Sequence, residues 1–306
     1  FIAGNRCERP VTGHASSKEL PNMVDYKYQK LMSYEEQSMD GPRGVIGIPM
    51  VLNMYENLPF WHAFFTKLGF KVVLSGRSSK SLYLQGQNTI PSDTVCYPAK
   101  LVHGHIKALL DKGVKTIFHP CMSYNFDEKI SDNHFNCPVV AYYPELINGN
   151  MDVVHRVGVR YLFPYIGLND PKIFQKKIRQ ALMQEGILCT RKEILEASNA
   201  AYDAYHAFRQ DIEQTGRRAI AYAHEHHLKT IILAGRPYHI DPEINHGIDR
   251  LLTGQGFVVV TEDCVSGLED KQRRGVLNQW TYHARMYNAA RYAATQENTE
   301  VIQLVS

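Results

Sequence analysis

The chain has 306 residues, of which 44% are hydrophobic and 21% charged, with a net charge of +3 and six cysteines. That length implies about two domains, and the composition excludes a disordered chain, a collagen or a coiled coil. No run approaches the ~18 apolar residues that would span a bilayer, the mild basicity argues against a nucleic-acid partner, and the cysteines are too sparse for a disulfide scaffold. With no secretory apolar region at the start, a reducing cytoplasm is the expected compartment, where cysteines serve as thiols, metal ligands or catalysts.

Residues 1–42 are polar and turn-rich and read as an N-terminal linker or extension, with one helical stretch at 25–39. The opening Gly/Asn/Arg/Pro-rich run starts no regular element, and 300–305 reads as a strand whose following loop is missing, so an excised fragment of a longer protein is expected. Residues 45–50 (Val-Ile-Gly-Ile-Pro-Met) form a short apolar run bounded by Gly and Pro, a buried strand. In the helix predicted over 58–68, Phe60, Phe64, Phe65 and Leu68 recur at helical spacing before Gly69, and 71–75 is the next strand, completing a βαβ unit. The pattern continues with a helix at 100–110, strands at 115–119 and 138–142, an amphipathic helix at 173–185 and a long helix from 191 to 227. That last helix carries a lone Gly216, which costs about 1 kcal/mol against Ala. A second α/β unit follows: strand 229–234, helix 244–253, strand 257–261, helix 280–295 and strand 300–305. Strands alternating with helices imply parallel sheets with right-handed crossovers. The expected architecture is two Rossmann-like parallel-sheet domains, at 43–190 and 229–306, joined by a connecting helix at 191–228.

Open α/β sheets place ligands beyond the carboxyl ends of their strands. Cys96 precedes a helix carrying Lys100, His103 and His105, and a helix N-terminus with cations a turn away favours thiolate. Cys121 follows an apolar strand, in a loop expected to point into the cleft, and Cys137 precedes Pro138. Thiolates at such edges suit an iron–sulfur cluster or a zinc ion. Free cysteine is also among the most commonly buried residues, and there is no C-x-x-C pair, so spacing leaves both readings open. Residues 235–239 (Gly-Arg-Pro-Tyr-His) form a Gly-initiated loop after a strand. Its backbone and Arg236 suit an anion, with His239 as proton donor or ligand, while an ordinary strand exit with Tyr238 and His239 packed between domains explains it as well. His103 and His105, two apart on a helix, cannot both face one ion. His224, His226 and His227 suit a helix C-terminus, Glu262 or Asp263 suits an acid/base although solvated loop carboxylates are commoner, and Cys189 reads as a packed thiol.

Several of these segments resemble one family. Residues 93–105 (Asp-Thr-Val-Cys-Tyr-Pro-Ala-Lys-Leu-Val-His-Gly-His) resemble the Cys-(Tyr/Phe)-Pro-x-Lys-x-x-His-Gly-His element of activase-related, DUF2229-type proteins, relatives of 2-hydroxyacyl-CoA dehydratase and benzoyl-CoA reductase components. Residues 117–121 (Ile-Phe-His-Pro-Cys), 136–145 and 234–245 are similar to further elements in the same order, and 4–8 (Gly-Asn-Arg-Cys-Glu) to the linker after the activase domain of fused members. The resemblance implies a [4Fe–4S] cluster held by cysteines between Rossmann-like domains, an ATP-dependent activase partner that injects single electrons, and a CoA-thioester substrate. Carried over by motif, Cys96 and Cys121 match two cluster cysteines and Cys137 a third ligand or a neighbour, with Lys100, His103 and Arg236 supplying compensating positive charge. Two features depart from the pattern: relatives continue into a Gly/Cys-containing loop beyond the last strand, and Cys264 stands where a small polar residue is expected. The leading expectation is an iron–sulfur electron-transfer component, dehydratase- or reductase-like. Its rivals are a metal-free two-domain module binding an acyl-CoA or phosphorylated ligand through residues 235–239, and an interdomain docking segment.

Overall fold

The computed structural model describes residues 20–37, 39–271 and 275–305. Cys7 and the linker-like residues 4–8 lie outside the described residues. The architecture is mixed α/β with two all-parallel sheets. The first sheet has the order β2-β1-β3-β4, built from β1 (Val45–Ile48), β2 (Lys71–Leu74), β3 (Thr116–Phe118) and β4 (Arg160–Leu162). Gly47 of β1 pairs with Val73 on one side and Ile117 on the other, and Ile117 pairs in turn with Tyr161. The second sheet has the order β6-β5-β7, from β5 (Thr230–Ala234), β6 (Val258–Thr261) and β7 (Thr299–Gln303). Every residue of β3, β5 and β6 is buried, as crossover helices covering both faces require.

In each sheet the chain first steps from β1 to β2, or from β5 to β6, and then crosses to the other side, to β3 or β7, so the winding reverses at β1 and β5. Such switch points open a crevice outside the carboxyl ends of the strands. The segments leaving β1 and β5 are therefore the natural walls of a site.

The helices are α1 (Met23–Met32), α2 (Met54–Lys67), α3 (Lys80–Gly86), α4 (Tyr97–Asp111), α5 (Pro138–Asn150), α6 (Pro171–Gln184), α7 (Arg191–Glu225), α8 (Pro242–Asn245), α9 (Ile248–Gly254) and α10 (Thr281–Thr295). The long helix α7 is about 52 Å from end to end. It starts at a capping box in which Thr190 Oγ1 accepts from Glu193 N at 3.2 Å and Glu193 Oε2 accepts from Thr190 N at 2.7 Å. Its buried stripe, including Ile194, Ala201, Tyr205, Phe208, Ile212 and Ala219, packs on α2 and β6 and so touches both halves. Although α1 falls in the segment expected to be a linker, it docks on β6, where Val259 N donates to Pro21 O at 3.1 Å.

Three expectations change. Residues 138–142 are not a strand but the start of α5: Cys137 is the N-cap, and Pro138 gives up an N–H that the first turn leaves unused. The fourth strand of the first sheet is instead Arg160–Leu162. The helix expected over 244–253 is two short helices, because His246 (φ 55°) and Gly247 (φ 76°) adopt the left-handed conformation between them.

Candidate functional site

A cavity of about 240 Å³ lies at the two switch points. Leu52 and Asn53, leaving β1, form one wall, and Arg236 and Tyr238, leaving β5, form another. Cys96, Phe135 and residues 137–140 contribute from the first half, and Trp280, Tyr282 and His283 from the start of α10. The β1 exit is a tight turn in which Met54 N donates to Val51 O at 2.8 Å. Leu52 sits in it at φ 49°, a left-handed conformation that costs a branched L-residue about 1–2 kcal/mol. Asn53 Nδ2 donates to Asn136 Oδ1 at 2.8 Å, and Asn136 Nδ2 to Met122 O at 3.0 Å. This pair ties the β1 turn to the segment that delivers Cys137.

Cys96 and Cys137 occupy equivalent positions. Each is the N-cap residue of a long helix, α4 or α5, each is followed by a proline in the first turn, and neither side chain caps its own helix. The N-caps of α2 and α10, Asn53 and Trp280, also line the cavity without side-chain caps. The N-termini of four helices thus lie at one volume, where the positive ends of helix dipoles favour negative charge. No carboxylate lines it. Arg236 adds a cation that makes no ion pair among the described residues. The remaining wall is apolar and aromatic. Such a site favours a bound group that is negatively charged in one part and apolar in another.

Of the residues singled out from the sequence, Cys96, Cys137 and Arg236 converge here. Cys121 is fully buried and does not line the cavity; its backbone pairs with Pro164 and Ile166, its thiol lies against Tyr165, and burial pushes that thiol up to about 11. Lys100 Nζ donates to Asp93 O at 2.8 Å, bracing the loop before α4. His103 bonds through Nδ1 to Thr89 Oγ1 at 2.7 Å and through Nε2 to Tyr143 at 3.0 Å. Burial lowers it to about 4, so it is neutral near pH 7 and supplies no compensating charge. His105, facing Ser75 and Ser78, is held at about 3 by burial, so the two histidines do serve different partners. His239 lies behind the β5 exit, with Nδ1 accepting from Arg236 N at 2.8 Å.

Glu262 and Asp263 overturn the solvated-loop expectation, since both are buried. Lys27 reaches Asp263 at 2.5 Å, Arg209 reaches it at 3.3 Å, and Arg285 reaches Glu56 at 2.5 Å and also pairs with Glu128. Cys189 is buried and accepts from Arg43 Nη1 at 3.0 Å. His226 Nδ1 donates to Tyr222 O at 2.8 Å, satisfying a carbonyl at the end of α7. Trp280, Tyr282 and His283 had no chemical motif to mark them; the one available signal was their position at the start of a helix, whereas Leu52 and Asn53 fall in the segment 49–56 that follows the first strand.

A family profile matches residues 45–265, more than half of the chain. The chain belongs to the DUF2229 family, described as the CoA enzyme activase uncharacterised domain. The DUF2229 segment runs from β1 through the turn after β6 and contains Cys96, Cys137 and Arg236. The α10 wall of the cavity lies beyond it. No curated protein and no solved structure matches the chain.

Proposed function

We propose that this DUF2229 chain is an iron–sulfur electron-transfer component, dehydratase- or reductase-like, that works with an ATP-dependent activase on a CoA-thioester substrate. The observation that carries this reading is the pairing of Cys96 and Cys137, two thiols at helix N-caps facing one largely apolar cavity. Cysteine sulfurs are the ligands of iron–sulfur clusters. The family description, which names the activation of CoA enzymes, supports the same direction.

The donor set fits a cluster as a partial site. Two thiols line the cavity, while no group of three or more His, Cys, Asp or Glu side chains gathers to hold a metal ion among the described residues. Cys96 and Cys137 would each hold one iron. The group supplies one-electron chemistry at a potential set by burial and nearby charge. The chain's own residues do the rest. Leu52, Phe135, Val139 and Trp280 exclude water, and Arg236 with the four helix N-termini steadies negative charge on a thioester oxygen.

Anaerobic reconstitution with iron and sulfide tests the reading. Cys96→Ala and Cys137→Ala are each expected to lose bound iron and the visible absorbance of a cluster. Unchanged iron in both variants refutes the proposal. Cys121→Ala tests the cysteine that the resemblance pairs with Cys96.

The apolar lining favours a second reading, an acyl-CoA-binding module that needs no metal. A thermal-shift series with acyl-CoAs on metal-free protein separates the two. Stabilisation that survives in the Cys96→Ala/Cys137→Ala double variant and disappears in Arg236→Ala supports this alternative.

A further inference from the structure

Behind the β5 exit, away from the two cysteines, lies a second and much smaller pocket of about 10 Å³, room for one water molecule. Lys27, Gly235, His239 and Glu262 line it. Gly235 is glycine because the imidazole packs on it: a Cβ there would lie 2.5 Å from His239 Nδ1. Since Nδ1 accepts from Arg236 N, the neutral ring carries its hydrogen on Nε2. That Nε2 is buried in a residue only 6% exposed and has no protein partner. A buried donor left unmatched costs about 1–3 kcal/mol.

The other groups define what would match it. Lys27 has three ammonium hydrogens, one of them directed at Asp263. Glu262 Oε2 accepts from Gly235 N at 3.3 Å and retains acceptor capacity. Two donors repel a cation, and the volume excludes phosphate. We propose that this pocket is a site for one water, which accepts from His239 Nε2 and Lys27 Nζ and donates to Glu262, and through which the charge on Glu262 is felt by the turn that places Arg236 at the cavity.

Glu262 is poised for that role. Burial, reinforced by Asp263 beside it, holds its carboxyl up at about 7 against the opposing pull of Lys27 on α1 and Arg285 on α10. Arg209 of α7 and Glu56 of α2 belong to the same buried charge network, and the charge of Arg236 acts on His239. His239 itself, lowered to about 4 by burial and Arg236, stays neutral while Glu262 titrates. Ionisation of Glu262 strengthens its hold on both Gly235 N–H and the water. The site does not depend on any group bound at Cys96 or Cys137.

Histidine-labelled full chain, studied by ¹⁵N NMR, tests the proposal, with His239→Gln providing the assignment. The His239 Nε2–H resonance is expected to show an exchange-protected proton, a cross-peak to a long-lived water, and a shift with its midpoint near pH 7. In Glu262→Gln that pH-dependent shift is expected to vanish while the water cross-peak persists. Absence of the water peak, a flat titration between about pH 5 and 9, or the same titration in Glu262→Gln overturns the proposal. Should that variant fail to fold, infrared spectroscopy of the wild type replaces it: a buried carboxylic C=O band is expected below neutrality and lost above it, and its absence likewise overturns the proposal.

Discussion

Gly216, in the C-terminal third of α7, has no side chain because Cys264 fills the space one would need: a Cβ at 216 would stand 2.5 Å from the Cys264 sulfur. Helix propensity favours Gly216→Ala by about 1 kcal/mol, while overpacking a tight core costs roughly 1–3 kcal/mol. Packing is expected to win, so Gly216→Ala should lower the urea midpoint, and adding Cys264→Gly should restore most of the loss. A more stable single variant would show that α7 can yield at this contact.

Thiol reactivity should follow position. Cys96 and Cys137 are half-buried at the cavity, whereas Cys121, Cys189 and Cys264 are buried. Burial raises the Cys121 thiol to about 11 and, with Asp263 adding to it, Cys264 to about 12. Brief alkylation of the metal-free folded protein at neutral pH, read by mass spectrometry, is expected to modify Cys96 and Cys137 before those three. Faster labelling of Cys121 would place it at the cavity instead.

The dependence of stability on pH includes contributions of opposite sign from His103 and Glu262. His103, lowered by burial, is stabilising above its unfolded value near 6.5, and that contribution is lost as pH falls toward about 4. Glu262, raised by burial, binds its proton more tightly when folded, so its contribution is lost as pH rises from about 4.5 to about 7. In Glu262→Gln the second effect is absent. Stability measured by urea unfolding should then rise more steeply with pH across that window, by about 1.4 kcal/mol per pH unit. An unchanged slope would mean that Glu262 titrates as it does in the unfolded chain.

Arg285 is fully buried between Glu56 and Glu128. Burial pushes the Glu56 carboxyl up, but Arg285 and Lys27 more than offset it and hold it at about 2. Removing one member of such a pair typically costs 3–5 kcal/mol. Arg285→Met is expected to destabilise by about that much, and Glu56→Gln in the same chain to recover part of it, as a double-mutant cycle would show. The Glu56 contribution itself disappears as pH falls from about 4.5 to about 2.

The alternation of strands and helices was legible because parallel strands buried on both faces write continuous apolar runs, as at 45–48 and 230–234. Arg160–Leu162 escaped notice because three residues with an exposed arginine first leave no such run. Residues 138–142 misled for the opposite reason: Val139 and Val140 have strand propensity, but Pro138 just inside a helix start outweighs them. Of the cavity, Cys96, Cys137 and Arg236 were visible as loop residues beside strands or helices. The aromatic wall at 280–283 was not, since only the fold brings it near residues 52 and 96. The ion network was equally hidden, because Lys27, Glu56, Asp263 and Arg285 are far apart in the chain and share no motif.

Asp241, just past the β5 exit, accepts hydrogen bonds from Tyr55 at the start of α2 and from Ser78 beyond β2. Both donors belong to the first half of the chain, and the carboxyl between them is buried. Swinging the two sheets apart would strip a buried carboxyl of both partners. Access to the cavity by parting the two halves would therefore cost at least these two buried hydrogen bonds.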